Sequence, residues 1–188
     1  MELQMRRARE IVAAYAPGCE QEARDRAQML WLLDRFPDCL TRENPVAHMT
    51  ASAWIVDPAR ERALLAYHNQ YDSWAWTGGH ADGEGDLLPV ALREAREETG
   101  LCAAPAQASP ISLESLCVEG HIKRGAYVSA HIHMNLTYLL IADPAAPVRP
   151  KADENSGVRW FAFREVNAHC SEPFMRTIYD KLMSRARA

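Results

Sequence analysis

Residues 86–101 of this 188-residue chain read DLLPVALREAREETGL, and this stretch decides the fold. Asp86 is a residue type that caps helix N-termini, and Pro89 is tolerated in a first turn. Gly100 is the residue type that most often ends a helix. The stretch therefore predicts a helix from Asp86 to Thr99.

Three carboxylates occupy one face of this predicted helix. Glu94, Glu97 and Glu98 are spaced i, i+3 and i+4, so their side chains lie next to one another. Like charges this close repel unless a partner relieves them, and Mg²⁺ and Mn²⁺ prefer carboxylate oxygens. The alternative is a solvated helix face of alternating charge. The double glycine Gly78-Gly79 before the helix and Gly100 directly after it favour a metal site.

The segments around this helix read as strands, with one more helix near the C-terminus. Alternating, β-branched and aromatic residues predict the strands, and Ser171 is a candidate cap for the last helix. The predicted strands are Met49–Val56, Ala63–Tyr67, Leu113–Glu119, Tyr127–Ile141 and Gly157–Phe163, and the last helix is Glu172–Arg185. This order predicts an α/β (α+β) fold with a mixed β-sheet between helices.

The first forty residues have a different character. Two amphipathic stretches are separated by Pro17-Gly18 and closed by Pro37, which predicts a helical hairpin. We expect residues 1–40 to form this extra N-terminal segment and residues 41–188 to form the main domain. The hairpin would either cap a pocket or mediate a homodimer.

Composition excludes several classes of protein. The net charge of −4 and pI of about 6.0 offer no field that would attract a nucleic acid polymer. The 5 cysteines are dispersed without a C-x-x-C pair, which favours reduced thiols over a zinc site or a disulfide framework. We find neither an apolar run long enough to span a bilayer nor a signal peptide, so we expect a cytoplasmic protein without a membrane partner.

The glycine and glutamate pattern resembles the Nudix box. Gly79, Arg93-Glu94-Ala95, Glu97-Glu98 and Gly100-Leu101 match that motif at its spacing, and the likeness extends from about Met49 to Val166. The resemblance implies a Nudix fold in which the box forms a loop, a helix and a loop. It also implies Mg²⁺- or Mn²⁺-dependent pyrophosphatase activity, the hydrolysis of a nucleoside diphosphate linked to another moiety.

Three positions depart from the box. Gly85 stands where the family has an internal glutamate, and the flanking Glu84 and Asp86 are candidates to substitute for it. Ala95 replaces a large aliphatic residue, and Thr77 replaces the usual proline before the double glycine. In the family that glutamate has a mainly structural role, so Gly85 weakens the expectation of activity only modestly. Ala95 is a tolerable change, and Thr77 is a matter of the local backbone.

A further acid is expected from a late loop. Glu154, in the stretch KADENSGVRW (151–160), stands where some members of the similar family carry a late glutamate. Glu154 or Glu94 would act as the general base that takes a proton from metal-bound water. Lys123, Arg124 and Lys151 are candidates to steady the leaving group.

Histidines and a tryptophan are candidates for the substrate pocket. In the stretch AHIHMNLTY (130–138), His131 and His133 share a polar strand face with Asn135 and Thr137, and we expect that face to meet either solvent or a pocket. His131 and His133 would bind phosphate, or act with His80 as additional metal ligands. His80 follows Gly79 at the mouth of the predicted site. Trp76 is a candidate to stack on a base or sugar, and His48 to line the same cleft.

Three functions are compatible with these residues. The first is a metal-dependent hydrolase in which Glu94, Glu97 and Glu98 hold the metal and Gly79, His80, His131, His133 and Trp76 contact a small-molecule diphosphate. The second is a Nudix-fold regulator that binds a nucleotide without cleaving it. The third is an allylic diphosphate isomerase, which needs a suitably placed cysteine. The three carboxylates favour the hydrolase.

Overall fold

The computed structural model describes residues 1–70, 72–123 and 125–188, apart from the side chain of Lys123. Its helices are α1 (Glu2–Ala14), α2 (Glu20–Leu33), α3 (Leu87–Thr99), α4 (Phe163–His169) and α5 (Pro173–Arg187). Its strands are β1 (Ala47–Val56), β2 (Arg62–His68), β3 (Ser73–Ala75), β4 (Thr77–His80), β5 (Ala104–Pro105), β6 (Ser112–Val118), β7 (His121–Lys123), β8 (Ala126–Val128), β9 (His131–Ile141) and β10 (Asn155–Ala162).

A mixed sheet forms the centre of the molecule. Its order is β10-β2-β1-β9-β5, with β3 paired to β2, β4 to β1 and β6 to β9. β1 runs parallel to β9 from the pair Ala47 and Ile132 to the pair Val56 and Ile141, whereas its other neighbours are antiparallel. All ten residues of β1 are buried, as expected for a strand covered on both faces. The predicted α+β class is confirmed.

Each face of the sheet is covered by its own set of helices. Alternate residues of β1, such as Met49 and Ala51, pack in one cluster with apolar residues of α1, α2 and α3. The opposite face includes Trp54, which packs with α5 residues such as Tyr179 and Leu182. Burial on both sides fixes the register, because a shift of one residue would exchange the two faces.

The N-terminal helices are attached to the sheet and to α5. The carboxylate of Glu22 on α2 is fully buried and contacts Arg185 Nη1 at 2.5 Å and Lys181 Nζ at 3.0 Å, both on α5. Lys181 also contacts Glu114 of β6 at 2.8 Å, and the Tyr15 hydroxyl donates to Glu22 at 2.8 Å. Charged groups from both ends of the chain thus meet in one buried cluster.

Helix α1 explains the departure at position 85. The Gly85 N–H donates to Gln4 Oε1 at 2.8 Å, and a Cβ at position 85 would collide with the Gln4 backbone carbonyl. A glutamate therefore cannot occupy this position while α1 lies there. Asp86 occupies the N-cap position of α3 as predicted, but its carboxylate forms an ion pair with Arg7 instead of a cap hydrogen bond. Asp86 thus serves the attachment of α1.

Two predicted boundaries were wrong. The predicted strand Tyr127–Ile141 is two strands, because the chain leaves β8 at Val128 and enters β9 only at His131. The last helix is capped at Glu172 rather than Ser171, since Pro173 fits the first helical position.

Candidate active site

Helix α3 presents its three glutamates at different depths. Glu98 is 1 % exposed, whereas the side chain of Glu94 is 15 % exposed and that of Glu97 is 46 % exposed. The i, i+3 and i+4 spacing predicted from the sequence is realised in a regular helix. The solvent exposure of the three carboxylates therefore increases from Glu98, in the interior, through Glu94 to Glu97 at the surface.

Strand β4 fits closely against these carboxylates. The Gly78 N–H donates to Glu98 Oε1 at 2.8 Å, and a Cβ at Gly79 would collide with the Glu94 carboxylate. Gly79 is thus needed for the close approach between the strand and the helix, whereas a Cβ at Gly78 would collide with Ser52 of β1. Strand β4 thus fixes the positions of Glu94 and Glu98.

The second oxygen of Glu98 has no hydrogen-bond partner among the described residues, although it is buried. His68 Nε2 lies 3.5 Å from this oxygen. Burial, with the nearby charges of Glu94 and Glu154, raises the pKa of Glu98 to about 8. An unsatisfied buried carboxylate oxygen is costly, and a cation would relieve that cost.

The late loop reaches the same place. Lys151 Nζ contacts Glu154 at 3.0 Å and Glu97 at 3.5 Å, so it joins the loop to α3. Asn155 fixes the loop, because its amide donates to the Glu98 backbone carbonyl at 3.3 Å and accepts from the Lys151 N–H at 2.9 Å. Burial and the charge of Glu97 raise the pKa of Glu94.

These residues fit the divalent metal that the Nudix resemblance implies. The donors are carboxylate oxygens, which Mg²⁺ and Mn²⁺ prefer, and one of them is buried without a partner. Glu94, Glu97 and Glu98 would hold the ion.

The predicted histidines gather elsewhere, where His48 joins them. The ring centroid of His48 lies 5.0 Å from His80, 4.8 Å from His131 and 5.0 Å from His133. Burial lowers the pKa of His48. Alternation along β4 directs His80 to the sheet face opposite to Gly79 and α3. The histidines and the carboxylates thus belong to opposite faces of the sheet.

The rest of the polar face of β9 was wrongly expected to meet solvent or a pocket. Asn135 and Thr137 are 1 % and 0 % exposed. The Asn135 side chain accepts from Thr50 at 3.1 Å and Ser52 at 2.9 Å, and it donates to Thr137 at 3.1 Å. These side chains satisfy one another, so this polar face is stable without contact with solvent.

The structure does not bring every predicted residue to the carboxylates. Trp76 is 8 % exposed, with its ring edge-on against Tyr179 at 5.7 Å in the core. Arg124 and the side chain of Lys123 lie outside the described residues. His68 and Asn155 were missed, because nothing in their local sequence distinguishes them from ordinary strand and loop residues.

Comparisons with known proteins agree with this architecture. Residues 46–182 match the NUDIX domain family. A NUDIX-family hydrolase from Clostridium perfringens is similar in structure, with a TM-score of 0.53 and 18% identity over 72% of this chain and 95% of that one. A C. elegans Ap4A hydrolase in a binary complex gives a TM-score of 0.53 and 17% identity over the same shares. Curated protein sequences give no significant match. Within the described residues, no helix is both long and apolar enough to cross a membrane.

Proposed function

The chain belongs to the NUDIX domain family, and on that premise we propose that it is a metal-dependent hydrolase that cleaves the diphosphate linkage of a nucleoside diphosphate derivative or a similar small molecule. The observation that carries the proposal is the carboxylate cluster on α3, with an unsatisfied oxygen of Glu98 buried among acids. A protein that only bound a ligand would gain nothing from the cost of this cluster.

Glu94, Glu97 and Glu98 would hold Mg²⁺ or Mn²⁺ next to the substrate. The bound metal would neutralise phosphate charge and lower the pKa of a water molecule. The Gly78 N–H keeps Glu98 in position, and the closeness of Gly79 keeps Glu94 in position. Lys151, which is within 3.5 Å of Glu97, would steady the charge on the leaving phosphate. Most of the acceleration would come from positioning and electrostatics.

Glu94 is our choice for the general base. Its side chain is 15 % exposed, and burial with the charge of Glu97 raises its pKa toward the pH at which an enzyme works. The carboxylate of Glu154 is paired with Lys151 at 3.0 Å, a closer contact than the 3.5 Å between Glu94 and Arg93. In this arrangement Glu154 holds Lys151 and does not take the proton.

We expect Glu94→Gln to lower kcat at least tenfold more than Glu154→Gln, because general-base catalysis contributes on the order of 10²-fold or more. Steady-state rates of both variants at saturating Mn²⁺ would measure the difference. The Glu154 variant is also expected to lose part of the effect of Lys151, seen as a raised KM. A larger loss of kcat in Glu154→Gln would assign the base to the late loop.

The function itself is tested with a panel of nucleoside diphosphate derivatives, with and without Mg²⁺ or Mn²⁺. The panel includes Ap4A, because one structural neighbour is an Ap4A hydrolase. We expect metal-dependent release of nucleotide or phosphate, reduced about 100-fold in Glu97→Gln. Glu20→Gln, which changes an exposed acid on α2, is the matched control and should keep full activity.

Product analysis distinguishes the three candidate functions. Cleaved diphosphate supports the hydrolase. Tight binding of one compound without turnover would favour the regulator, and a rearranged diphosphate would favour the isomerase. Cys39 is a poor candidate for isomerase chemistry, since it is fully buried and burial raises the pKa of its thiol to about 11.

A further inference from the structure

The four histidines described above come from three strands of the sheet. His48 lies on β1, His80 ends β4, and His131 and His133 lie at the start of β9. The backbone pairs His48 with His133 in the parallel ladder, and Thr50, two residues from His48, with His80. Sheet register therefore directs all four imidazoles to one face, where their rings are neighbours.

Two of these rings, His48 and His131, have one nitrogen beside a backbone carbonyl, and this contact determines which ring nitrogen carries the proton. His48 Nδ1 lies 3.2 Å from the Asn44 carbonyl, and His131 Nδ1 lies 2.8 Å from the Ser129 carbonyl. Because a carbonyl only accepts, both Nδ1 atoms are assigned the proton, and both Nε2 atoms carry lone pairs. This is the arrangement in which histidines bind metals, with the second nitrogen held by an outer carbonyl.

The Nε2 atom of His48 is buried without a hydrogen-bond partner among the described residues, and the residue is 4 % exposed. A buried nitrogen acceptor without a partner is costly. His48 belongs to a group of three histidines, with His80 and His133, in which one ring nitrogen of each lies within 4.8 Å of the others. Since Zn–N bonds are about 2.0–2.1 Å long, nitrogens around a tetrahedral ion are about 3.3 Å apart, so modest side-chain rotation would complete a site.

We propose that His48, His80 and His133 form a second metal site, for a transition-metal ion such as Zn²⁺, and that His131 supplies the fourth nitrogen. The Nε2 atoms of His131 and His133 are 3.1 Å apart, in a hydrogen bond that the His131 lone pair accepts. This distance is close to the tetrahedral separation, so an ion would replace the hydrogen bond with little movement of the two rings. Neutral imidazoles suit Zn²⁺, Co²⁺, Ni²⁺ and Cu²⁺, whereas the carboxylates of α3 suit Mg²⁺ and Mn²⁺. The two sites therefore select different ions. The metal ion bound by the four histidines would link β1, β4 and β9.

The test is a titration of the chelator-treated full-length protein with Co²⁺, followed by visible absorption, and with Zn²⁺, followed by calorimetry. We expect one equivalent of Co²⁺ to bind with the spectrum of a tetrahedral nitrogen site. His133→Ala should weaken binding by about 100-fold or more. His169→Ala, which removes an exposed histidine of α4, and Glu97→Gln should leave the binding unchanged.

Because His48 is buried, His80→Ala and His133→Ala, at partly exposed positions, are the decisive variants, with circular dichroism as the check on folding. Unchanged Co²⁺ affinity in both folded variants would overturn the proposal. Loss of the Co²⁺ spectrum in Glu97→Gln alone would also overturn it, since the ion would then be on the carboxylates. Neither readout depends on turnover, so failure here is distinguishable from failure of the proposed hydrolase.

Discussion

Glu98→Gln is expected to lower kcat about 1,000-fold and, at the same time, to stabilise the metal-free protein at pH 8. The loss of activity exceeds that expected for Glu97→Gln because Glu98 is 1 % exposed and is fixed by the Gly78 N–H, so neither water nor a neighbouring acid can replace it. The stabilisation follows from the same burial. The amide oxygen of the glutamine still accepts the hydrogen bond from the Gly78 N–H, and the amide avoids the free-energy cost of a buried charge.

The pH dependence of this effect has a definite sign. The pKa of Glu98 is about 8 in the folded protein against 4.5 when unfolded, so its folded form holds a proton that the unfolded form has lost. The carboxyl group's contribution to stability is full below pH 4.5 and disappears as the pH rises through 8. The loss is roughly 4 kcal/mol. The amide of Glu98→Gln does not titrate, so the variant does not lose this free energy of unfolding as the pH rises.

Urea denaturation with a chelator present, at pH 5 and pH 8, measures this difference. The free energy of unfolding of Glu98→Gln should exceed that of the wild type at pH 8 and approach it at pH 5. Glu97→Gln is the control, since it makes the same substitution on α3 at a side chain that is 46 % exposed. Equal stability of wild type and Glu98→Gln at both pH values would show that the buried acid is compensated by a contact other than a metal.

Arg185→Met is expected to lower the free energy of unfolding by about 3–5 kcal/mol. The substitution removes the guanidinium that binds the fully buried carboxylate of Glu22 at 2.5 Å, and among the described residues it leaves Lys181 as the cation that pairs with Glu22. Burial by itself raises the pKa of Glu22, but hydrogen bonds from Arg185, Gly18, Tyr15 and Lys181 lower it to about 2. The stabilisation from Glu22 is present above pH 4.5 and is lost as the pH falls toward 2.

A double-mutant cycle isolates the pair. Glu22→Gln combined with Arg185→Met should be less destabilised than the sum of the two single variants, because no unpaired charge remains. Arg24→Met is the matched control, because that arginine is 82% exposed and forms an exposed ion pair with Glu20. If Arg185→Met were no less stable than Arg24→Met, the buried cluster would contribute nothing to the attachment of α2.

Helix α3 was predictable because its signals are local. Asp86, Gly100 and the spacing of the three glutamates are all within one stretch, and helical periodicity converts that spacing directly into a shared face. The strands β3 and β4 could not be predicted, because three- and four-residue segments carry no periodicity. The seven-residue helix α4 escaped prediction for the same reason.

The contacts that complete the site depend on distant pairing. His68 meets Glu98 only because β2 lies beside β1 and β3 in the sheet, and Asn155 meets the end of α3 only after β10 has paired with β2. His48 was a candidate to line the same cleft, and the parallel ladder brings it beside His133 on one face of the sheet. Gly85 departs from the motif because its N–H donates to the side chain of Gln4, eighty-one residues earlier in the chain, a contact that the local sequence could not indicate.

The parallel pairing of β1 with β9 also governs the order in which the molecule can assemble. Thr50 and Asn135 are 85 residues apart in the chain, so their pairing closes a long loop before it yields any stabilising contact. During synthesis β1, with Trp54 and Ile55, lacks this neighbour until Ile141 has left the ribosome. The ladder between β1 and β9 therefore forms late in synthesis, and we expect it to slow folding relative to a fold built from local contacts. Until then one edge of the apolar strand β1 lacks its final neighbour, which is the condition that favours aggregation.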